Sequence, residues 1–156
     1  MQIHELRSMV SQDIPLRQDR LDAESIRIPA LHDKYLTLYL DELGELRRME
    51  RAFKLVLKQK TEYYLGKADP DTYKDKPFDL KVRPIKSDLS LYLDADEDLQ
   101  RLQEIMSQQD LKVKYLDSTL KNIHQRSYQI HGALEWAKFQ NGLDTIKTPS
   151  PFAGDL

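Results

Sequence analysis

LQRLQEIMSQQDLKVKYLDSTLKNIHQRSYQIHGALEWA, from Leu99 to Ala137, is the stretch that decides the fold. Leu99, Met106, Val113, Leu120 and Leu134 recur every seven residues, with Ser127 in the remaining slot. A companion row of Leu102, Gln109, Leu116, Ile123, Ile130 and Ala137 runs beside it with one polar member. Two apolar rows at alternating spacings of three and four lay a hydrophobic seam along one side of a helix, and the pattern predicts a single long helix. Ile105, Leu111, Tyr115, Tyr128 and Trp136 widen the apolar face beyond a two-stranded seam. Such a helix is expected to pack on a second long helix along one side and on a neighbouring subunit along another. Gln109 and Ser127 read as register-setting positions or local gaps in packing. Asp94 followed by Glu97 is an N-cap signature and predicts where the helix begins.

The partner helix lies upstream. No proline interrupts the chain between Pro29 and Leu65, and Tyr35, Tyr39, Leu46, Met49, Phe53, Val56 and Tyr63 keep spacings of three, four or seven. Gly44 inside it costs roughly 1 kcal/mol relative to alanine, and Gly66 is placed to cap its end. Its second half, RRMERAFKLVLKQKTEYYLG from Arg47 to Gly66, sets six basic residues against two acidic ones and ends in paired tyrosines. At 100° per residue Arg47, Arg51, Lys54 and Lys58 fall within about 60° of one another, with Leu46, Met49, Phe53 and Val56 opposite. A cationic stripe on a core-packed helix is the result.

A short amphipathic helix is predicted from about Gln2 to Ser11 through Ile3, Leu6 and Val10, ending before Ile14 and Pro15. Between the long helices, residues 66–86 carry three prolines and ten charged side chains without a helical period, which predicts a connecting loop or arm. Leu80, Val82 and Ile85, then Leu89, Leu91 and Leu93, alternate well enough to allow minor short strands near 80–93. Asp69, Pro70 and Asp71 read as a turn, since the glycine and distant glutamate of a calcium loop are missing. Residues 143–156 read as a flexible tail, in which Phe152 is the one candidate for docking. The expectation is therefore an all-α chain with one domain over residues 1–142: a short N-terminal helix and two long antiparallel helices joined by a charged loop. Helices of about 50 and 65 Å, at 1.5 Å per residue, expose more apolar flank than one copy can cover, so self-association is expected.

Composition narrows the chemistry. With 156 residues, 40% of them apolar, the chain can bury one modest core. Its 24 basic and 26 acidic residues leave a net charge of −2, so an anionic partner must be met by a local patch and not by the whole surface. Cysteine is absent, which excludes disulfides, thiolate zinc sites and a cysteine nucleophile. No apolar run has the length of a membrane span, and the first residues lack the pattern of a signal peptide. A cytoplasmic location is the expectation. No GxxxxGK[ST] loop occurs, which argues against a Walker nucleotide site. Of His4, His32, His124 and His131, only the last two share a helix face, seven apart, where metal binding wants three or four. The acids Asp94, Asp96, Glu97 and Asp98 complement a helix N-terminus and need no catalytic explanation. Nothing pairs a nucleophile with a base, so no enzyme, metal or cofactor is expected.

Two classes of function stay open on these grounds. One is a protein that holds single-stranded nucleic acid through the stripe of Arg47, Arg51, Lys54 and Lys58, with Lys60, Lys67 and a stacking tyrosine at its end. The other is a helical assembly module whose basic stripe is only a solvated face. They differ over Tyr63 and Tyr64, which diverge by about 100° on a helix and so are not expected to share a core. One of them is then free to stack on a base.

LKQKTEYYLG, Leu57 to Gly66, resembles the signature region of the bacteriophage UvsY recombination mediator family. The order of elements is similar over roughly residues 1 to 142, including the LDADEDLQ stretch from Leu93 to Gln100. The resemblance implies a ring-like homo-oligomer of the hexamer or heptamer class that binds single-stranded DNA. It also implies two protein partners: a phage recombinase of the UvsX type, whose filament it helps to nucleate, and the phage single-strand-binding protein, which it destabilises so that the recombinase can replace it. The family's two basic motif positions fall on Lys58 and Lys60, with lysine at Lys60 where arginine is usual, which keeps charge but loses a planar fork. Thr61 and Leu65 also depart from the family pattern. Lys60 points about 160° away from Lys58, so either it snorkels off the helix end to reach the same strand, which is the favoured reading, or the last turn unwinds, or the two contact different stretches of DNA on a ring. The residues expected to hold subunits together are those of the seam: Leu102, Met106, Val113, Leu116, Leu120, Ile123, Ile130 and Leu134.

Overall fold

The structure, a computed structural model, describes residues 1–79, 81 and 84–142. Five α-helices follow in order among them: α1 (Ile3–Asp13), α2 (Leu21–Tyr64), α3 (Pro70–Asp75), α4 (Leu89–Asp94) and α5 (Glu97–Gln140). A 3-10 turn, Gln18–Arg20, leads into α2. The chain is all-α among the described residues, with α2 and α5 each 44 residues long. These two helices run through two compact units, one formed by Met1–Thr37 with the described part of Leu116–Leu156, the other by Leu38–Tyr115.

In the first unit the N-terminal helix is where its pattern places it, with Leu6 fully buried and the Gln2 N–H donating to Glu5 at 2.7 Å. One boundary in this unit differs from expectation. Helix α2 starts eight residues before Pro29, which sits exposed inside it. Proline lacks a backbone N–H and normally opens or breaks a helix. Here the core spacing of Glu24, Leu31 and Tyr35 continues through it, and all three are buried. Glu24 occupies a core position because Arg126 of α5, only 2% exposed, forms an ion pair with it. The same guanidinium donates to the carbonyl of Ile14 at 2.6 Å and so closes the chain between α1 and α2. Its Nε is the one buried side-chain polar atom without a partner among the described residues.

Arg126 also marks a departure from the heptad reading. The buried positions of α5 in this unit are Leu116, Thr119, Ile123, Arg126 and Ile130, while Ser127 and Leu134 are exposed and Leu120 is half-buried. A straight α-helix drifts about 20° per heptad, so the core row slips back one residue, from 120 and 127 to 119 and 126. Asp13 anchors the end of α1 on α2, accepting from Lys34 at 2.6 Å, Arg27 at 3.0 Å and the Tyr35 hydroxyl at 3.1 Å.

In the second unit α2 and α5 run antiparallel. Near one end Glu42 pairs with Lys112 at 2.8 Å and accepts from Gln109 at 2.7 Å; near the other, Lys60 meets Asp98. Gln109 also donates to the Glu42 carbonyl at 2.8 Å, so the polar member of the seam is bonded across the interface. A Cβ at Gly44 would meet nothing within 4 Å, so no close contact compensates its helix cost. Gly66, at φ 72°, ends α2 as expected, with the Lys67 N–H donating to Glu62 at 2.8 Å.

The segment between the long helices holds more helix than its composition suggests. Asp69 caps α3, its carboxylate accepting the Asp71 N–H at 3.1 Å, and Pro70 opens the first turn. The expected second strand, Leu89 to Leu93, is helix α4 instead. Leu80 and Val82 of the expected first strand, and the tail with Phe152, lie outside the described residues. The N-cap of α5 is Asp96, whose Oδ1 accepts from the backbone of Asp98 at 3.0 Å and Leu99 at 3.1 Å. Asp94 closes α4, two residues earlier than the cap.

Two stability predictions follow from the buried and shared carboxylates. Glu24→Leu leaves the Arg126 guanidinium buried without a counter-charge and is expected to lower urea-unfolding stability by about 3–5 kcal/mol. Adding Arg126→Met should recover much of that loss; a double variant no better than the single one would show that the pair is not what the unit depends on. The Lys34 ammonium, then Tyr35 and Arg27, hold Asp13 below its ordinary value of 3.8. Burial pushes Glu42 up, but Lys112 and Gln109 outweigh it and leave it below its ordinary 4.5. Folding therefore releases protons. The stability these groups lend is complete above their ordinary values and is lost as pH falls through the lower folded ones. Asp13→Asn should flatten the acid limb of a plot of urea midpoint against pH.

Candidate nucleic-acid interface

Every residue singled out for nucleic-acid contact lies in the Leu38–Tyr115 unit, on α2 or just beyond it. The helical spacing that buries Leu46 and half-buries Met49, Phe53 and Val56 leaves Arg47, Arg51, Lys54 and Lys58 exposed. Arg47, Arg51 and Lys54 border a shallow open groove together with Leu43, Leu46 and Glu50. None of the three cations has an ion pair among the described residues, so none must break a contact to meet a phosphate. Lys58 is 72% exposed, with Glu62 at 3.7 Å. An exposed pair at that distance contributes little and is easily exchanged for another anion. Lys67 is exposed just after Gly66.

Lys60 is placed differently. Its side chain is 20% exposed, and its Nζ lies 2.6 Å from Asp98 and 2.9 Å from Asp96. Burial opposes its charge, but the two carboxylates outweigh that and raise its pKa. The structure thus turns Lys60 inward, toward the N-terminus of α5, and not outward along the stripe. Asp96 is pushed up by burial, yet Lys60, Tyr64 and the Leu99 N–H together hold it below the usual carboxylate value.

The tyrosines share one aromatic cluster, contrary to the expectation that they must part. Their ring centroids are 5.2 Å apart, edge to face. Tyr63 stacks on Tyr73 of α3 at 5.4 Å and lies 5.4 Å from Phe78, while Tyr64 lies 5.5 Å from Phe78 and 5.7 Å from Tyr92 of α4. The two side chains do leave the helix in different directions. The segment after Gly66 folds back over the helix end and supplies rings to both, which no helical wheel of α2 alone can show. Both hydroxyls are engaged: Tyr63 donates to the Lys76 carbonyl at 3.1 Å and Tyr64 to Asp96 at 2.8 Å. Burial, then the Asp96 carboxylate, push the Tyr64 phenol up to about 12.

Beside this cluster is an open pocket of about 580 Å³ bordered by Tyr63, Asp69, Asp71, Asp75 and Asp96, with Lys60 and Lys76. Its four acids outnumber its two lysines, so the lining is acidic where the stripe on α2 is cationic. His124 and His131 are exposed, and no group of residues suited to a metal ion occurs among those described. No described helix is long and apolar enough to cross a membrane.

The seam residues divide. Val113, Leu116, Ile123 and Ile130 are buried within the single chain, and Leu102, Met106 and Leu120 are half-buried. Exposed apolar surface lies instead at Ile105, Leu111, Tyr128, Leu134 and Trp136, between 43% and 75% exposed. Four of these, all but Leu134, belong to the outer flank that the sequence pattern reserves for a second contact.

Comparison with known proteins bears on what this arrangement is. The chain is 22% identical over 142 residues to the recombination protein uvsY of Enterobacteria phage T4, covering 91% of this chain and 99% of that protein. A crystal structure of the bacteriophage T4 recombination mediator protein UvsY (lattice type II) superposes with a TM-score of 0.80 at 23% identity, over 90% of this chain and 98% of that one. A second (lattice type IV) gives 0.76 at 19% identity, over 90% and 99%. At these identities the structures speak for the fold. The model of the family described as "Recombination, repair and ssDNA binding protein UvsY" matches residues 9–143, nearly the whole chain, and the chain therefore belongs to the UvsY family.

Proposed function

We propose that this chain is a single-stranded DNA-binding recombination mediator that holds the strand along Arg47, Arg51, Lys54 and Lys58, with Lys67 at the far end. The observation that carries the reading is the row of exposed cations beside the open groove on α2, with Arg47, Arg51 and Lys54 free of carboxylate partners among the described residues. Membership of a family described by recombination, repair and single-stranded DNA binding supplies the class of polymer. A phosphate chain is the anion that a linear row of cations fits, and binding through it is independent of base sequence. Tyr63 and Tyr64 contribute from within the aromatic cluster, by shaping the end of the stripe, and not as free stacking platforms.

Each subunit offers only a few cations. A ring of the hexamer or heptamer class repeats them, and weak individual contacts then sum to strong, salt-sensitive binding through counterion release and effective concentration. The exposed flank at Ile105, Leu111, Tyr128 and Trp136 is the surface such an assembly would cover, since the deeper seam is already spent inside each chain. A strand held along successive subunits sits less well in the phage single-strand-binding protein. The mediator thereby lowers the barrier for a UvsX-type recombinase to nucleate its filament, with no nucleotide hydrolysis by this chain.

Anisotropy of a labelled, unstructured oligonucleotide tests the stripe. Arg47→Ala, Arg51→Ala and Lys54→Ala together should weaken binding of order 10–100-fold near physiological salt and flatten the salt slope by about 0.7 for each phosphate contact removed. A duplex of equal length should bind more weakly. Unchanged affinity and slope would leave the helical assembly module as the reading. Leu111→Glu, at a site 58% exposed, should leave helicity intact by circular dichroism and reduce the assembled mass by light scattering. An unchanged mass would remove the outer flank from the subunit contact.

A further inference from the structure

The family motif puts two basic residues at the end of α2, and the structure treats them as opposites. Lys58 is 72% exposed and reaches only Glu62, at 3.7 Å. Lys60 is 20% exposed and is gripped by two carboxylates, Asp98 at 2.6 Å and Asp96 at 2.9 Å. We propose that Lys60 is a positioning residue that latches the end of the DNA-binding helix onto the N-terminus of α5, and that it makes no phosphate contact. The inference rests on the single-strand-binding reading above and assigns the two motif lysines separate tasks.

The latch works through Asp96. That side chain is 5% exposed, and its two oxygens divide their tasks. Oδ1 caps α5 by accepting the backbone N–H groups of Asp98 and Leu99. Oδ2 accepts from Lys60 and from the Tyr64 hydroxyl at 2.8 Å. A carboxylate this deeply buried needs its counter-charge, because an ion left unpaired away from water is strongly destabilising. For Lys60 to swing out to a phosphate it must abandon both acids at once and uncover Asp96. With Lys76 3.9 Å from Asp98, two ammoniums already face two carboxylates here, so the cluster offers the DNA backbone no net positive charge. Meanwhile the groups tied to the latch are those that shape the end of the stripe. Tyr64 is held by Asp96 and packs edge to face on Tyr63, and Tyr63 in turn bonds the Lys76 carbonyl and stacks on Tyr73. Lys58 and Lys67 flank this turn. Loss of Lys60 should thus loosen the strand's grip indirectly.

The two roles differ in sign in one experiment. Anisotropy against a labelled oligothymidylate is measured over a salt series for the full chain, Lys60→Met, Lys60→Arg, Asp98→Asn, Lys54→Ala and Glu97→Gln. The last removes the same charge as Asp98→Asn from an 86% exposed side chain that does not touch Lys60. If Lys60 is a latch, Lys60→Met weakens binding several-fold with the wild-type salt slope, Lys60→Arg restores it, and Asp98→Asn alters affinity no more than Glu97→Gln does. A fall in slope of about 0.7 in Lys60→Met overturns the proposal. So does Asp98→Asn binding that is tighter and steeper than the control, because freeing Lys60 from its acid would then have delivered it to DNA. Should Lys60→Met fail to fold, Asp98→Asn measured against Glu97→Gln carries the same discrimination. Failure of the stripe reading shows separately, as a Lys54→Ala slope equal to wild type. Hydrogen exchange without DNA then decides the latch alone. Backbone amides of residues 62–76 should exchange faster in Lys60→Met and not in Lys54→Ala, and equal protection in both would overturn it.

Discussion

One carboxylate, that of Asp96, holds the end of the Leu38–Tyr115 unit together. It starts α5 by satisfying backbone N–H groups that a helix leaves orphaned, it neutralises the Lys60 ammonium of α2, and it accepts the Tyr64 hydroxyl. Three requirements of separate elements are met by one side chain that is 5% exposed. The tasks reinforce each other: cap donors and an ammonium keep the carboxylate ionised against its burial, and the ionised carboxylate is the better cap. Around it the aromatic cluster of Tyr63, Tyr64, Tyr73, Phe78 and Tyr92 closes over the end of α2.

Charge does comparable work elsewhere on the α2–α5 seam. Arg126 and Glu24 in one unit, and Glu42 with Lys112 and Gln109 in the other, occupy positions where an apolar side chain would pack. Buried ion pairs rarely add net stability over a well-packed apolar alternative, so their value lies elsewhere. A seam of leucines alone tolerates slipping by a turn. A guanidinium that must meet one particular glutamate does not, and the Ile14 carbonyl on the same guanidinium ties the α1 connection to that register. Apolar side chains nevertheless stay exposed on α5 in each unit, Ile105 and Leu111 in one and Tyr128 and Trp136 in the other.

The sequence made the long helices legible because periodicity survives every local irregularity. It misplaced their starts for reasons that are chemical. Pro29 suggested a beginning because the proline-free pattern runs on from it and proline normally interrupts a helix, yet Glu24 already sat in register with Leu31 and Tyr35. A glutamate does not count as a core residue until its arginine is known, and Arg126 was invisible for the same reason. Asp94 and Asp96 are equally good caps by composition. The choice between them was made by Lys60, thirty-odd residues away in sequence and adjacent in space. Leu89 to Leu93 alternates like a strand, but with no strand to pair with among the described residues it satisfies its backbone locally as α4.

The exposure of Arg47, Arg51, Lys54 and Lys58 was legible, since a helical wheel needs only local spacing to show which side chains face away from the core. Lys60 was not, because a wheel gives the direction of a side chain and not what meets it. Its direction, back along the Leu46 and Phe53 seam, conflicted with a role on the stripe, and snorkelling was the remedy that kept both. The structure removes the need for a remedy: a lysine that points into a seam and finds two aspartates there is placed consistently.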